Sequence, residues 1–203
     1  MNIYHRFINL PVEIPKPESF NRPIEKSFID FLGPDVVPSD FKDWLQSLGL
    51  TISNVIEGFY SAPNGGAIPP HTDTVWKPFV NDPVKINITW GPQNSVTRWW
   101  EVNKDENYIE VVHEETGLNF FEEQGIVPDI DCHKCYSAEE KNLKLVYEKV
   151  ISKPSLLNVG QLHSTYNPDP EQGRWTLSYV PLKDGKFVPF SEGLEIFKPW
   201  IEE

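Results

Sequence analysis

The sharpest pattern along the chain is the alternation of apolar and polar residues in Val84-Lys85-Ile86-Asn87-Ile88-Thr89-Trp90. It places Val84, Ile86, Ile88 and Trp90 on one face of a strand and Lys85, Asn87 and Thr89 on the other, the mark of a half-buried strand. Gly91-Pro92-Gln93-Asn94 breaks the run, so Val96 to Val102 reads as the returning strand of a hairpin. Other short extended runs are Asn54 to Tyr60, His71 to Thr74, Leu143 to Ile151, Ser155 to Val159 and Arg174 to Leu182. Turn-forming residues punctuate them, such as Ser61 to Gly66, Pro154 and Gly160. Before residue 51 the spacing changes. Ser27 to Leu32 and Phe41 to Leu48 carry apolar residues at roughly helical intervals, with Ser39-Asp40 suited to cap the second and Gly49 to stop it. Phe190 to Trp200 reads as a short C-terminal helix.

About seven or eight strands with short turns predict a mainly β fold with flanking helices, a barrel or two-sheet sandwich. Residues 103–140 are charged and irregular and read as an insertion or lid with one short helix. At 203 residues the chain suits a single domain. Its parts would be a helical cap over 1–50, a β core over 51–185 carrying the insertion, and a C-terminal segment over 186–203.

A net charge of −12 repels phosphate backbones and anionic lipids, so nucleic-acid and membrane partners are not expected. No run of about 18 apolar residues is present, and the first residues lack a basic region followed by an apolar one. A cytoplasmic setting follows as the expectation. Cys132 and Cys135 make no disulfide framework. With His113 or His133 they are one step from a zinc site, but two free thiols in a loop is the simpler reading. His5 has no partner motif and reads as exposed.

The chemistry lies in Pro69-Pro70-His71-Thr72-Asp73-Thr74 and in His163. On a strand, His71 and Asp73 share a face and can hold one metal, with His163 as third ligand from another strand. Two histidines and one carboxylate leave coordination positions open, the arrangement of non-haem Fe(II) oxygenases. Eleven residues after His163, Arg174 follows a turn and can return into the same barrel. Its planar fork matches a carboxylate, and Thr176 faces the same way. Asn87 is a candidate to bond a co-substrate, and Tyr60, Trp99 and Trp100 to wall the cavity.

His71-x-Asp73, His163, then Arg174-x-Thr176, in this order and spacing, resemble the 2-oxoglutarate/Fe(II)-dependent oxygenase superfamily over roughly residues 54–182. The run-up from Tyr60 to His71 is similar to the prolyl and aspartyl/asparaginyl hydroxylase branches. The resemblance implies a double-stranded β-helix, a jelly-roll, cupin-like barrel. It implies Fe(II) on His71, Asp73 and His163, and 2-oxoglutarate chelating the iron with its far carboxylate on Arg174 and Thr176. O₂ would be consumed, succinate and CO₂ released, and a small-molecule or peptidyl substrate hydroxylated. Two alternatives stand beside this: a cupin-like metalloenzyme that does not use 2-oxoglutarate, and a non-catalytic binding module. Neither the substrate nor the oligomeric state is legible.

Overall fold

Alternating strands build the molecule, and their two faces go to different places. The computed structural model describes residues 2–22, 24–73, 82–102, 111–112 and 136–202. The chain passes through β1 (His5–Phe7), β2 (Phe28–Leu32), α1 (Ser39–Ser47), β3 (Thr51–Ile52), β4 (Ile56–Ser61), β5 (Gly66–His71), β6 (Val84–Trp90) and β7 (Val96–Val102). It continues through β8 (Val111–Val112), β9 (Tyr136–Ser137), β10 (Leu143–Val150), β11 (Ser155–Asn158), β12 (His163–Asn167), β13 (Arg174–Tyr179), β14 (Pro181–Lys183), β15 (Lys186–Phe187) and α2 (Phe190–Ile196).

Among the described residues the first sheet has the order β1-β11-β6-β13-β4-β2 and the second β10-β7-β12-β5-β9-β8. A small sheet, β15-β14-β3, sits beside them. The connections β4 to β5, β6 to β7, β10 to β11 and β12 to β13 each cross from one large sheet to the other. That winding is a double-stranded β-helix, the jelly-roll, cupin-like architecture.

The apolar core lies mainly outside the first sheet rather than between the sheets. Val84, Ile86 and Ile88 of β6 and Trp175, Leu177 and Tyr179 of β13 point outward. They pack with Phe41 and Leu45 of α1, Phe190 of α2 and Phe197. Helix α2 lies so close that a Cβ on Gly193 would come 2.9 Å from Val84 Cγ1, which is why glycine stands there. The opposite face carries Lys85 and Asn87 on β6, with Arg174, Thr176 and Ser178 on β13, all buried between the sheets. A second apolar cluster of Trp99, Ile151, Leu157 and Val159, flanked by Tyr4, Phe7 and Tyr147, packs under β1.

Several expectations change here. Ser27 to Leu32 is not helical: Phe28–Leu32 pairs with β4, from Phe28 against Tyr60 to Leu32 against Ile56. Six residues barely separate a period of 3.6 from one of 2, and an open sheet edge decided it. Residues 1–50 are thus not a helical cap, since they supply both edge strands of the first sheet besides α1. Pro38 rather than Ser39 stands at the N-cap of α1. Gly49 does end it, at φ +73°, with Leu50 N–H donating to Leu45 O as in a Schellman turn. Strands β6 and β7 form no hairpin, because β7 pairs with β10 and β12 in the second sheet. Turn residues announce that the chain reverses, not which sheet it rejoins. Lys85 and Asn87, on the polar face of β6, are buried in the interior. The C-terminal helix stops at Ile196 and a 3₁₀ turn, Lys198–Trp200, follows. Most of the expected insertion lies outside the described residues, as do its short helix, His113, Cys132, His133 and Cys135. Among the described residues no helix is long and apolar enough to cross a membrane.

His5 is buried, not exposed. Its Nδ1 accepts from Asn2 Nδ2 at 3.1 Å and lies 3.2 Å from the Tyr147 hydroxyl, with the imidazole stacked on the Tyr147 ring. Burial, with Lys149 and Arg6 nearby, lowers its pKa from 6.5 to about 4. The unfolded chain therefore binds more protons between these values, so this contribution to stability is complete above pH 6.5 and is lost as pH falls toward 4. The loss should reach up to about 3 kcal/mol. Urea unfolding at pH 7.5 and pH 4.5 should show it in the parent and a flatter dependence in His5→Gln. Equal slopes would mean that His5 is not held neutral.

Candidate metal centre

His71 closes β5 and His163 opens β12, and the two are direct cross-strand partners. Residues so paired on one sheet face stand side by side, and the two rings lie 4.6 Å apart between centroids. Pairing thus joins histidines 92 positions apart in the chain (163 − 71). Asp73 arrives differently. The strand ends at His71, so alternation along it does not place Asp73. Its N–H donates to Val159 O at 3.1 Å, which turns the loop back toward the start of β12.

The three donors converge. Asp73 Oδ1 is 3.0 Å from His71 Nε2 and 3.3 Å from His163 Nε2, and all three ligand atoms lie within 4.8 Å of one another. Two donors bonded at right angles to one ion at roughly 2.1 Å are roughly 3.0 Å apart, so these spacings suit adjacent positions around a first-row divalent ion. The ring tautomers agree. His71 Nδ1 lies 2.7 Å from Pro69 O and His163 Nδ1 2.9 Å from Gln161 O. A proton on each Nδ1 leaves both Nε2 lone pairs free for an ion. His71 Nε2 is buried without a hydrogen-bond partner among the described residues and faces Asp73 Oδ1 as an ion-pair neighbour at 3.0 Å. An orphaned, inward lone pair is what a missing cation would explain.

Behind the triad sits a buried charge relay that sequence reasoning missed. Lys85 Nζ is 2.8 Å from Asp73 Oδ2 and 2.5 Å from Glu57 Oε2. Lys85 is 1% exposed. Burial alone would raise the Asp73 carboxyl, but Lys85 and then His163 hold it well below its ordinary range. Burial lowers the Lys85 ammonium, yet Asp73 and Glu57 outweigh this and raise it. Burial raises Glu57, with Lys85 pulling the other way. The available signal was parity: Lys85 shares a face with Asn87 and Thr89, in a strand whose other face is wholly apolar. Glu57 had no motif to mark it.

Opposite the triad, on the first sheet, stands Arg174, 2% exposed. Its Nη2 donates to Ile151 O at 3.3 Å, while Nε and Nη1 have no partner among the described residues. Burial lowers its pKa to about 10. Arg174 and Thr176 line the same cavity as the triad, with Asn87, Phe59, Ile68 and Leu157. Asn87 Oδ1 accepts from Ser178 Oγ at 2.7 Å, which turns the amide NH₂ away from that bond. The cavity volume is about 20 Å³, room for a water molecule. Tyr60 and Trp100 do not wall it. Tyr60 packs on Trp175 outside the first sheet, and the Trp100 indole donates to Ser164 Oγ. Trp99 packs in the cluster beside Leu157.

Fold and site together describe a jelly-roll barrel with a candidate metal centre inside it. No family model matches the chain, and no curated protein matches it in sequence. Among solved structures it is similar to Peruvianin-I, a cysteine peptidase from Thevetia peruviana latex, at TM-score 0.36 and 10% identity, covering 91% of this chain and 94% of that one. It is also similar to an oxalate oxidase in complex with the substrate analogue glycolate, at TM-score 0.32 and 13% identity, covering 86% and 72%. Likeness at this level assigns no activity.

The purified protein should bind one divalent ion, Mn(II) or Fe(II), at the triad. His163→Ala should weaken it beyond the roughly 10–100-fold that outer-shell changes cost. Burial lowers His71, but Asp73 outweighs it and leaves the imidazole raised, so protons compete with the ion there. Affinity should therefore fall as pH is lowered, which calorimetry at pH 8 and pH 6 would read. Unchanged binding in His163→Ala would place the ion elsewhere.

Proposed function

We propose that the protein is an Fe(II)- and 2-oxoglutarate-dependent oxygenase acting on a small-molecule or peptidyl substrate. The observation that supports this best is the buried Arg174, whose Nε and Nη1 stand without partners on the cavity that the triad also lines. A cation so desolvated calls for an anion. A guanidinium with donors still free at Nε and Nη1 suits a carboxylate. A ligand with one acid end at the triad and another at Arg174 is a short dicarboxylate, and 2-oxoglutarate adds the keto group that can chelate a metal.

His71, Asp73 and His163 would hold Fe(II), which when bound supplies the redox chemistry for O₂. Lys85 keeps Asp73 ionised for that task. Arg174 and Thr176 would fix the far carboxylate, and the Asn87 amide could donate to the same molecule. Phe59, Ile68 and Leu157, which line the cavity, would give it apolar walls.

A second reading gains support from the small cavity. At about 20 Å³ it does not admit a five-carbon diacid unless its lining moves. A metalloenzyme that binds a smaller acid directly on Arg174, without 2-oxoglutarate, needs less movement.

A turnover assay separates the two. With Fe(II), O₂ and 2-oxoglutarate, the first reading expects succinate to accumulate. Arg174→Ala should raise the 2-oxoglutarate requirement by about 100-fold or more, since each hydrogen bond to a charged group contributes about 1.5–3 kcal/mol. Iron binding without succinate would favour the second reading. An Arg174→Ala variant as responsive to 2-oxoglutarate as the parent would refute the role of Arg174.

A further inference from the structure

The two oxygens of Asp73 have different surroundings. Oδ1 faces both histidine Nε2 atoms, at 3.0 and 3.3 Å. Oδ2 faces Lys85 Nζ at 2.8 Å. A metal-binding carboxylate can use one oxygen or both, and each further oxygen removes a position from substrate, co-substrate or water. We propose that Lys85 is a positioning residue that confines Asp73 to one-oxygen ligation and so keeps a third coordination position open. The proposal rests on the metal reading of the triad.

Three features of the structure support it. Lys85 cannot swing into water, because it is 1% exposed and its ammonium is also tied to Glu57. It belongs to the first sheet, whereas Asp73 follows β5 of the second, so the ion pair spans the interior and fixes the carboxylate from behind. The order of groups is also directional: histidines, then Oδ1, then Oδ2, then ammonium, then the Glu57 carboxylate. An ammonium carries three donors and cannot itself ligate while protonated. It therefore occupies Oδ2 without entering the coordination shell. Lys85 has no partner in solvent to exchange for Asp73, so one-oxygen ligation is the resting condition of this carboxylate.

The test is to count water on bound Mn(II) by electron paramagnetic resonance in ¹⁷O-enriched water, with no organic acid present. A six-coordinate ion with three protein donors should carry about three waters in the parent. In Lys85→Met the freed Oδ2 should displace one, leaving about two. Glu57→Gln retains an acceptor for Lys85 and should keep the parent count, which separates positioning from general damage to the buried charges. If Lys85→Met does not fold, the double variant Lys85→Met/Glu57→Gln removes the acid that this leaves unpaired, and it too should show about two. A parent count in the folded lysine variant would overturn the proposal. Absence of Mn(II) from the parent, or binding untouched by His163→Ala, would instead refute the metal reading, and the proposal with it.

Discussion

The structure turns on one ion pair that crosses its interior, Lys85 to Asp73. Charges taken out of water are tolerated only when they are paired and hydrogen-bonded, and removing one partner is far more costly than the pair is worth. Lys85 therefore ties three things together. It offsets Asp73, it offsets Glu57, and it joins the first sheet to the loop that ends the first half of the triad. Arg174 is the exception that makes the interior informative. It is as deeply buried, yet among the described residues it lacks a counter-ion, and it lines the cavity that the triad also lines.

A polar interior moves the burden of stability elsewhere. In a sandwich the apolar residues usually fill the space between the sheets. Here the outward faces of β6 and β13 carry them, under α1, α2 and the chain near Phe20. Phe20 stacks on Trp175 at 3.8 Å, and Phe41, Trp44, Tyr179 and Phe197 continue the layer. Both faces of the central strands are thus buried, one against hydrocarbon and one against the site. Elements that look like ornaments at the two ends of the chain are what permits a charged cavity in the middle.

This division explains what was legible in the sequence. The alternation of Val84 to Trp90 separated the two faces correctly and offered Asn87 to a co-substrate, but it did not show that Lys85 on the same face is buried. Parity reports a face, not its surroundings. The triad residues were legible as types and spacings, and the structure brings all three together, though Asp73 is set by its bond to Val159 and not by strand alternation. Arg174 and Thr176 were legible for a simple reason: a turn of suitable length returns the chain. That the return lands on the opposite sheet was not, nor was the parting of β6 from β7, since pairing partners depend on the whole winding. His5 escaped notice because its partners, Asn2 and Tyr147, define no motif. Glu57 escaped for the same reason, being joined to Lys85 from 28 residues away.

The candidate site is therefore made by facing sheets: His71 and His163 lie on the second with Asp73 beside it, and Arg174 and Thr176 lie on the first. Diffraction from crystals soaked anaerobically with Mn(II) and 2-oxoglutarate tests this most directly. The account predicts anomalous signal from one ion between His71, Asp73 and His163, with the diacid spanning from that ion to Arg174 and the cavity lining displaced to admit it. An ion bound elsewhere, or a diacid that occupies the crystal away from Arg174, would contradict it.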